Sequence, residues 1–150
     1  MKYILSAVLI ALNMTSLTVA HEGGHGPKLR DNAKYGGHLA PAIWQKDLAK
    51  GHHAPLIYKG ELTRSQDGTI RLYLYDTHMK PLKLNNFKPK AVATLVIKKR
   101  KKRKETRFHL QKETNAFVGK IPKITRRPFD IDIVVHQGDQ ALLVSFDNLD

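Results

Sequence analysis

The most constraining feature of this chain is the succession of short β-branched, aromatic and apolar runs that begins near residue 56. Residues 70–76 and 129–135 alternate apolar with polar or aromatic positions, and a period of two places successive side chains on opposite faces of a strand. Asp67-Gly68 and Gly138-Asp139 supply turn residues between such runs. The sequence therefore predicts strands over residues 57–64, 70–76, 91–98, 106–112, 116–121, 129–135 and 141–146.

About seven strands in about 95 residues, with almost no helical pattern, indicate an all-β domain over residues 56–150. We expect a two-layer antiparallel β-sandwich of immunoglobulin-like size, and a small barrel is the competing architecture. Four prolines fall between the predicted strands or at their ends, where a missing N–H does not interrupt a ladder. They are Pro81, Pro89, Pro122 and Pro128.

Residues 1–20 have the pattern of a cleaved export signal. Lys2 precedes the apolar run of residues 4–12, and Thr18-Val19-Ala20 ends the segment with small residues at the recognition positions. This run is about half of the ~20 apolar residues that a spanning helix needs, so we expect no membrane span. The pattern predicts a periplasmic or secreted protein that begins at His21, and the alternative is an N-terminal helix retained in the fold.

Residues 21–55 are rich in Gly, His and Pro and lack a sustained apolar period. The sequence predicts an extended lead-in with little regular structure. One short helix is compatible with the pattern: Pro41 suits a first helical position, Trp44 and Leu48 lie four residues apart, and Gly51 is typical of a helix end.

The histidines suggest metal binding. The chain has no Cys, which excludes disulfides, thiolate nucleophiles and Cys-ligated metals. If cleavage follows Ala20, the free amine and the imidazole of His21 can chelate one cation, and such nitrogen-rich sites suit copper first, then nickel, with zinc also accepted. The terminal chelate resembles the histidine brace of copper-handling exported proteins. The alternative is that an exposed, polar N-terminal tail contains His without a binding role. Five of the eight His precede the predicted sandwich and form the candidate metal ligands: His21, His25, His38, His52 and His53.

A second resemblance covers roughly residues 34–95. Its motifs are residues 34–38, residues 58–62, residues 69–76 and residues 80–82. These pieces resemble small exported β-domains similar to the heavy-metal-binding modules found with periplasmic cation-efflux adaptors. The resemblance implies metal handling outside the cytoplasm, with efflux or envelope proteins as partners.

An unbroken cationic run lies between two predicted strands, in a chain of formal net charge +13. An export signal disfavours nucleic acid as the partner, and the run contains no aromatic side chains for base stacking. Anionic surface polymers and lipid headgroups are the polyanions that remain. The alternative is a solvated hairpin whose charges discourage edge pairing. The seven residues are Lys98, Lys99, Arg100, Lys101, Lys102, Arg103 and Lys104.

Catalysis is not expected, because the chain contains no nucleophile elbow, zinc-protease motif or phosphate-binding Gly loop. Asp130 and Asp132 are interpreted as solvent-side acids of one strand. The leading hypothesis is an exported metal carrier or buffer, most simply for copper. The alternative is a polyanion-binding or envelope-surface-binding module that uses the cationic run, and a third reading is a structural domain of an envelope assembly.

Overall fold

The computed structural model describes residues 26–99 and 102–150. This part of the chain contains two 3-10 segments, Gln45–His53 and Leu84–Asn86, and eight strands. The strands are β1 (His38–Trp44), β2 (Tyr58–Arg64), β3 (Thr69–Tyr75), β4 (Lys90–Lys99), β5 (Lys102–Lys112), β6 (Phe117–Lys120), β7 (Phe129–Gln137) and β8 (Gln140–Leu149).

The eight strands form a closed antiparallel barrel in the order β1-β2-β3-β6-β5-β4-β7-β8. The predicted all-β class is confirmed, but the two-layer sandwich is wrong at the level of architecture. The closing pair is β1 with β8, in which Ala42 lies opposite Val144 and Trp44 opposite Leu142. Because this pairing joins the two ends of the sheet, the eight described strands form one closed sheet and not two packed layers.

The strand β1 comes from the segment that was expected to be an irregular lead-in. Pro41 lies inside this strand, opposite Lys59 of β2, and does not begin a helix. The 3-10 segment Gln45–His53 follows it and is interrupted at Gly51, where φ is +53°. Ala and Pro have low strand propensity, so the sequence signal of β1 was weak although Ala40 and Ala42 lie in the barrel core. The boundary at residues 55 and 56 therefore does not separate the barrel from its lead-in.

The other seven strands occur where they were predicted, and β5 is longer than expected. It begins at Lys102, because cross-strand pairing with β4 continues as far as Lys99 opposite Lys102. Most of the cationic run is thus regular strand. The apolar positions of β3 and β7 have the expected outcome: Ile70, Leu72 and Leu74 of β3 belong to a core of apolar side chains, which fills the interior as an eight-stranded barrel allows.

The antiparallel register assigns each connection to one of two ends of the barrel. At one end, called the hairpin end, lie the start of β1, the β2–β3 turn, the β4–β5 connection and the β6–β7 connection. The connections β1–β2, β3–β4, β5–β6 and β7–β8 lie at the far end. Within residues 26–99 and 102–150, no helix has the length and apolar character needed to cross a membrane.

Candidate functional site

The β4–β5 hairpin extends beyond the strands that flank it. β4 pairs with β7 only from Val92 to Val96, and β5 pairs with β6 only at Gln111 and Lys112. The remaining parts of β4 and β5 pair with each other, with Lys98 opposite Arg103. The described residues of the cationic run, 98–99 and 102–104, therefore lie on a two-stranded arm at the hairpin end.

The β6–β7 connection brings further cations to the same end. Lys120 ends β6, and Lys123, Arg126 and Arg127 precede β7. β7 starts beside the arm, because Val96 lies opposite Asp130 and the Lys98 ammonium is 2.7 Å from the Asp130 carboxylate. We call the described cations of the arm and of this connection the cationic end. It consists of Lys98, Lys102, Arg103, Lys104, Lys120, Lys123, Arg126 and Arg127.

Only part of this charge is neutralised locally. Lys98 pairs with Asp130, Arg103 with Glu105 at 2.7 Å, and Lys120 with Asp67. The hydrogen bond from Lys120, followed by those from Thr69, lowers the pKa of the Asp67 carboxyl, which stays charged.

Five cations of this end are exposed and have no ion-pair partner within the described part of the chain: Lys102, Lys104, Lys123, Arg126 and Arg127. The Lys99 backbone continues β4, and Arg100 and Lys101 lie outside the described residues. The cationic end therefore carries a net positive charge.

The predicted histidine cluster is not assembled in the described structure. His38 is exposed at the start of β1, at the hairpin end, whereas His52 and His53 lie in the 3-10 segment at the far end. β1 spans seven residues between them, about 20 Å of extended chain. His38 therefore cannot share one ion with His52, and its expected place in the cluster is wrong. His21 and His25 lie outside the described residues.

No group of three or more potential metal ligands of the His, Cys, Asp or Glu type occurs among residues 26–99 and 102–150. His52 nevertheless has a defined environment. Its Nδ1 lies 2.9 Å from the Gly26 carbonyl oxygen. A carbonyl oxygen only accepts, so Nδ1 carries the proton and Nε2 of the neutral ring is left with a lone pair.

Glu61 is an important polar residue whose own role no sequence pattern predicted. It belongs to β2, is fully buried, and points away from the interior, since its neighbour Leu62 faces the core. Its carboxylate accepts the amide N–H groups of Lys34 at 2.9 Å, Tyr35 at 2.7 Å and Gly37 at 3.0 Å. The Tyr75 hydroxyl donates a fourth bond at 2.8 Å. We call this arrangement the Glu61 site.

The charge on Glu61 is stabilised by these bonds. Burial acts to raise the pKa of the Glu61 carboxyl, but the donors from Gly37, Tyr35, Tyr75 and Lys34 together outweigh it, and the pKa lies below its usual value. Burial, followed by the bond to Glu61, raises the pKa of Tyr75. The site is therefore an ionised carboxylate whose acceptor capacity is used within the chain.

The Glu61 site fastens the segment before β1 onto the outside of the barrel. Tyr35 stacks on Tyr73 with ring centroids 4.3 Å apart, and the buried Lys59 ammonium is 2.6 Å from Asp31. Gly37 is required by space, because a Cβ there would lie 2.4 Å from the Leu62 carbonyl oxygen. Residues quoted above for the resemblance to metal-binding modules thus make an internal structural contact in this chain.

Two histidines of the β-rich part of the chain, and Asp130, have local surroundings. His78 is exposed in a turn in which Asp76 accepts the amides of His78 and Lys80, and His109 is exposed on β5. Asp130 was interpreted as a solvent-side acid and is instead buried, since it binds the Lys98 ammonium and the Asn148 amide.

Comparison with protein-family models, with curated proteins and with solved structures finds no match for this chain.

Proposed function

We propose that this protein binds polyanions, in particular phosphate groups arrayed on anionic lipid or on a surface polymer, through its cationic end. The observation that carries the proposal is that the strand register gathers the arm and the β6–β7 connection at one end of the barrel. Each Lys or Arg near an anionic surface contributes about 1 kcal/mol, and displaced counterions add a salt-dependent gain.

The alternative reading, in which the charges only protect a strand edge, accounts for the arm but not for the whole cluster. Lys123, Arg126 and Arg127 belong to a connection without strand structure and have no edge to protect. Their exposure next to the arm supports a binding role for both groups together.

The test compares two triple variants of equal net charge. One removes cations of the cationic end, Lys102→Gln, Lys104→Gln and Arg126→Gln. The matched control removes exposed cations of the far end, Lys46→Gln, Lys83→Gln and Lys88→Gln. Co-sedimentation with phosphatidylglycerol vesicles over a range of salt should show roughly a hundredfold weaker binding for the first variant only.

Two additional measurements identify the source of the anions. Phosphatidylcholine vesicles should bind neither of the two triple variants. Heparin should compete with the phosphatidylglycerol vesicles for the protein if any dense polyanion suffices. Equal losses in the two triple variants would mean that binding follows net charge alone, and the proposed interface would then be rejected.

A second candidate function, transition-metal binding by the N-terminal histidines, is supported by the environment of His52. The bonded Nδ1 orients the ring, as the second hydrogen bond of a metal-ligating His usually does. Gly26, whose carbonyl oxygen accepts that hydrogen bond, directly follows His25 in the sequence. The ligand set proposed here is the His21 amine and imidazole, His25 and His52, with copper as the preferred ion over nickel and zinc, after cleavage of an export signal at Ala20.

This second candidate is tested by Cu(II) titration of the cleaved chain. His52→Ala should weaken binding by at least roughly tenfold, whereas His38→Ala should leave it unchanged. An added residue before His21 should also weaken binding, because the free α-amine is no longer available to chelate. An equal effect of the two His substitutions would contradict the ligand set.

A further inference from the structure

Strand β5 has an open edge where the arm leaves the barrel. β6 pairs only with the last two residues of β5 and ends at Lys120. The chain then turns toward the β2–β3 turn, where the Ile121 amide donates to the Gly68 carbonyl oxygen at 2.9 Å. Residues 103–107 of β5 therefore pair with β4 on one side and with no described strand on the other.

The alternation of antiparallel pairing gives the direction of the main-chain groups along this edge. The Lys112 amide donates to the Pro89 carbonyl oxygen, so the even-numbered residues of β5 direct their N–H and C=O groups toward β4. The register between β4 and β5 is continuous, and the odd-numbered residues thus direct theirs away from β4. Gly119 of β6 agrees with this assignment, because a Cβ there would lie 2.6 Å from the His109 carbonyl oxygen.

Three odd-numbered residues of β5 lie beyond the reach of β6: Arg103, Glu105 and Arg107. Among residues 26–99 and 102–150, no main-chain group hydrogen-bonds to the outward N–H and C=O groups of these three residues. Their side chains are exposed, and five residues of strand span about 17 Å. The edge is therefore long enough to pair with one further strand of common length.

The charges on the arm determine which strand fits this edge. Lys102, Lys104 and Arg107 are exposed and have no ion-pair partner in the described part of the chain. A second copy of β5 would place cations opposite cations, which is unfavourable across a strand pair. A strand that carries carboxylates would instead place them opposite these cations.

We propose that an extended acidic segment of a partner protein adds to the arm as a third strand, along residues 102–107 of β5. The main-chain groups of Arg103, Glu105 and Arg107 supply hydrogen bonds, and alternate Glu or Asp side chains of the segment lie opposite Lys102 and Lys104. This interaction goes beyond polyanion binding, because it depends on main-chain groups that an array of phosphates does not require.

Fluorescence anisotropy with a blocked nine-residue peptide of alternating Glu and Val tests the strand addition. The control peptide has the same residues with every amide N-methylated, so its charge and length are kept while its main-chain donors are lost. The control should bind at least roughly tenfold more weakly, because several main-chain hydrogen bonds are removed. Equal binding of the two peptides would overturn the proposal and would leave polyanion binding intact.

Two variants at one position test the edge from the side of the protein. Glu105→Pro removes an N–H that points away from β4, a position at which an edge strand tolerates proline. Glu105→Gln has the same charge and keeps the N–H. The Pro variant should bind the acidic peptide roughly tenfold more weakly than the Gln variant, whereas both should bind phosphatidylglycerol vesicles equally. Equal affinity of the two variants for the peptide would overturn the role of the edge.

Amide hydrogen exchange of the unmodified protein supplies a readout that depends on no variant. The amides of Arg103, Glu105 and Arg107 should exchange rapidly in the free protein and at least roughly tenfold more slowly with saturating peptide. The amides of Thr106 and Phe108, which face β4, should be protected in both states. Peptide binding that leaves the exchange of the three edge amides unchanged would overturn the proposed location.

Discussion

The Glu61 site and the cationic end are both rich in charge, yet their charges are used in opposite ways. The carboxylate of Glu61 is buried. It accepts three hydrogen bonds from backbone N–H groups and one from a tyrosine hydroxyl of the same chain. The cationic end is exposed, and five of its cations have no ion-pair partner among the described residues. A buried charge whose bonds are satisfied internally stabilises the fold, whereas exposed charges of one sign stabilise it little and remain available to a ligand.

The largest effect is expected from Glu61→Ala. The substitution leaves three amides and the Tyr75 hydroxyl without their acceptor, which should lower the free energy of unfolding by about 4 kcal/mol. Urea denaturation measures this loss. Vesicle binding at the cationic end should be unchanged in the folded variant, and a parallel loss of binding would break the separation between the two regions.

The triple variant Lys102→Gln, Lys104→Gln and Arg126→Gln should give the reverse result. Its affinity for anionic vesicles falls by about 3 kcal/mol, because three cations that approach the surface are removed. Its free energy of unfolding should stay within ~0.5 kcal/mol of the parent value, as is usual for exposed substitutions. A clear loss of stability in urea would show that these cations also hold the barrel together.

Tyr75→Phe should sharpen the account of the Glu61 site. The phenyl ring keeps the buried volume, and the carboxylate keeps its three amide donors, so only one hydrogen bond is lost. We expect a destabilisation of about 1.5 kcal/mol in urea. A loss as large as that of Glu61→Ala would mean that the hydroxyl, and not the amides, dominates the site.

The pH dependence of stability should distinguish the regions further. The pKa of Glu61 is lowered in the folded protein from its ordinary 4.5, so its contribution is present above that value and is lost as the pH falls through the lower folded pKa. Melting temperatures of the parent and Glu61→Gln should therefore converge in strong acid. The difference between the two proteins isolates Glu61 from Asp67 and Asp76, whose pKa values are also lowered. A difference that is constant across this range would contradict the ionised carboxylate.

Local patterns in the sequence were sufficient for seven of the eight strands, because alternation and turn chemistry act over a few residues. The exception, β1, contains Ala40, Pro41 and Ala42, whose strand propensity is low, and it is held by pairing on both sides with β2 and β8. The cationic arm was recognised from its composition, but its association with Lys123 and Arg127 depends on the pairing of β4 with β7. The histidines show a prediction that failed. His38 and His52 were expected to lie in one cluster because both precede the predicted sandwich, but β1 holds them at opposite ends of the barrel.

The sequence alone determined the all-β class, most strand positions and the excess of positive charge, since each follows from residue types and short-range periodicity. Only the tertiary structure decided that the sheet closes on itself and that Glu61 is an internal anchor. Those features depend on contacts between residues far apart in the chain, such as Ala42 with Val144 and Tyr35 with Glu61. Register and closure select such contacts, and no local pattern records them.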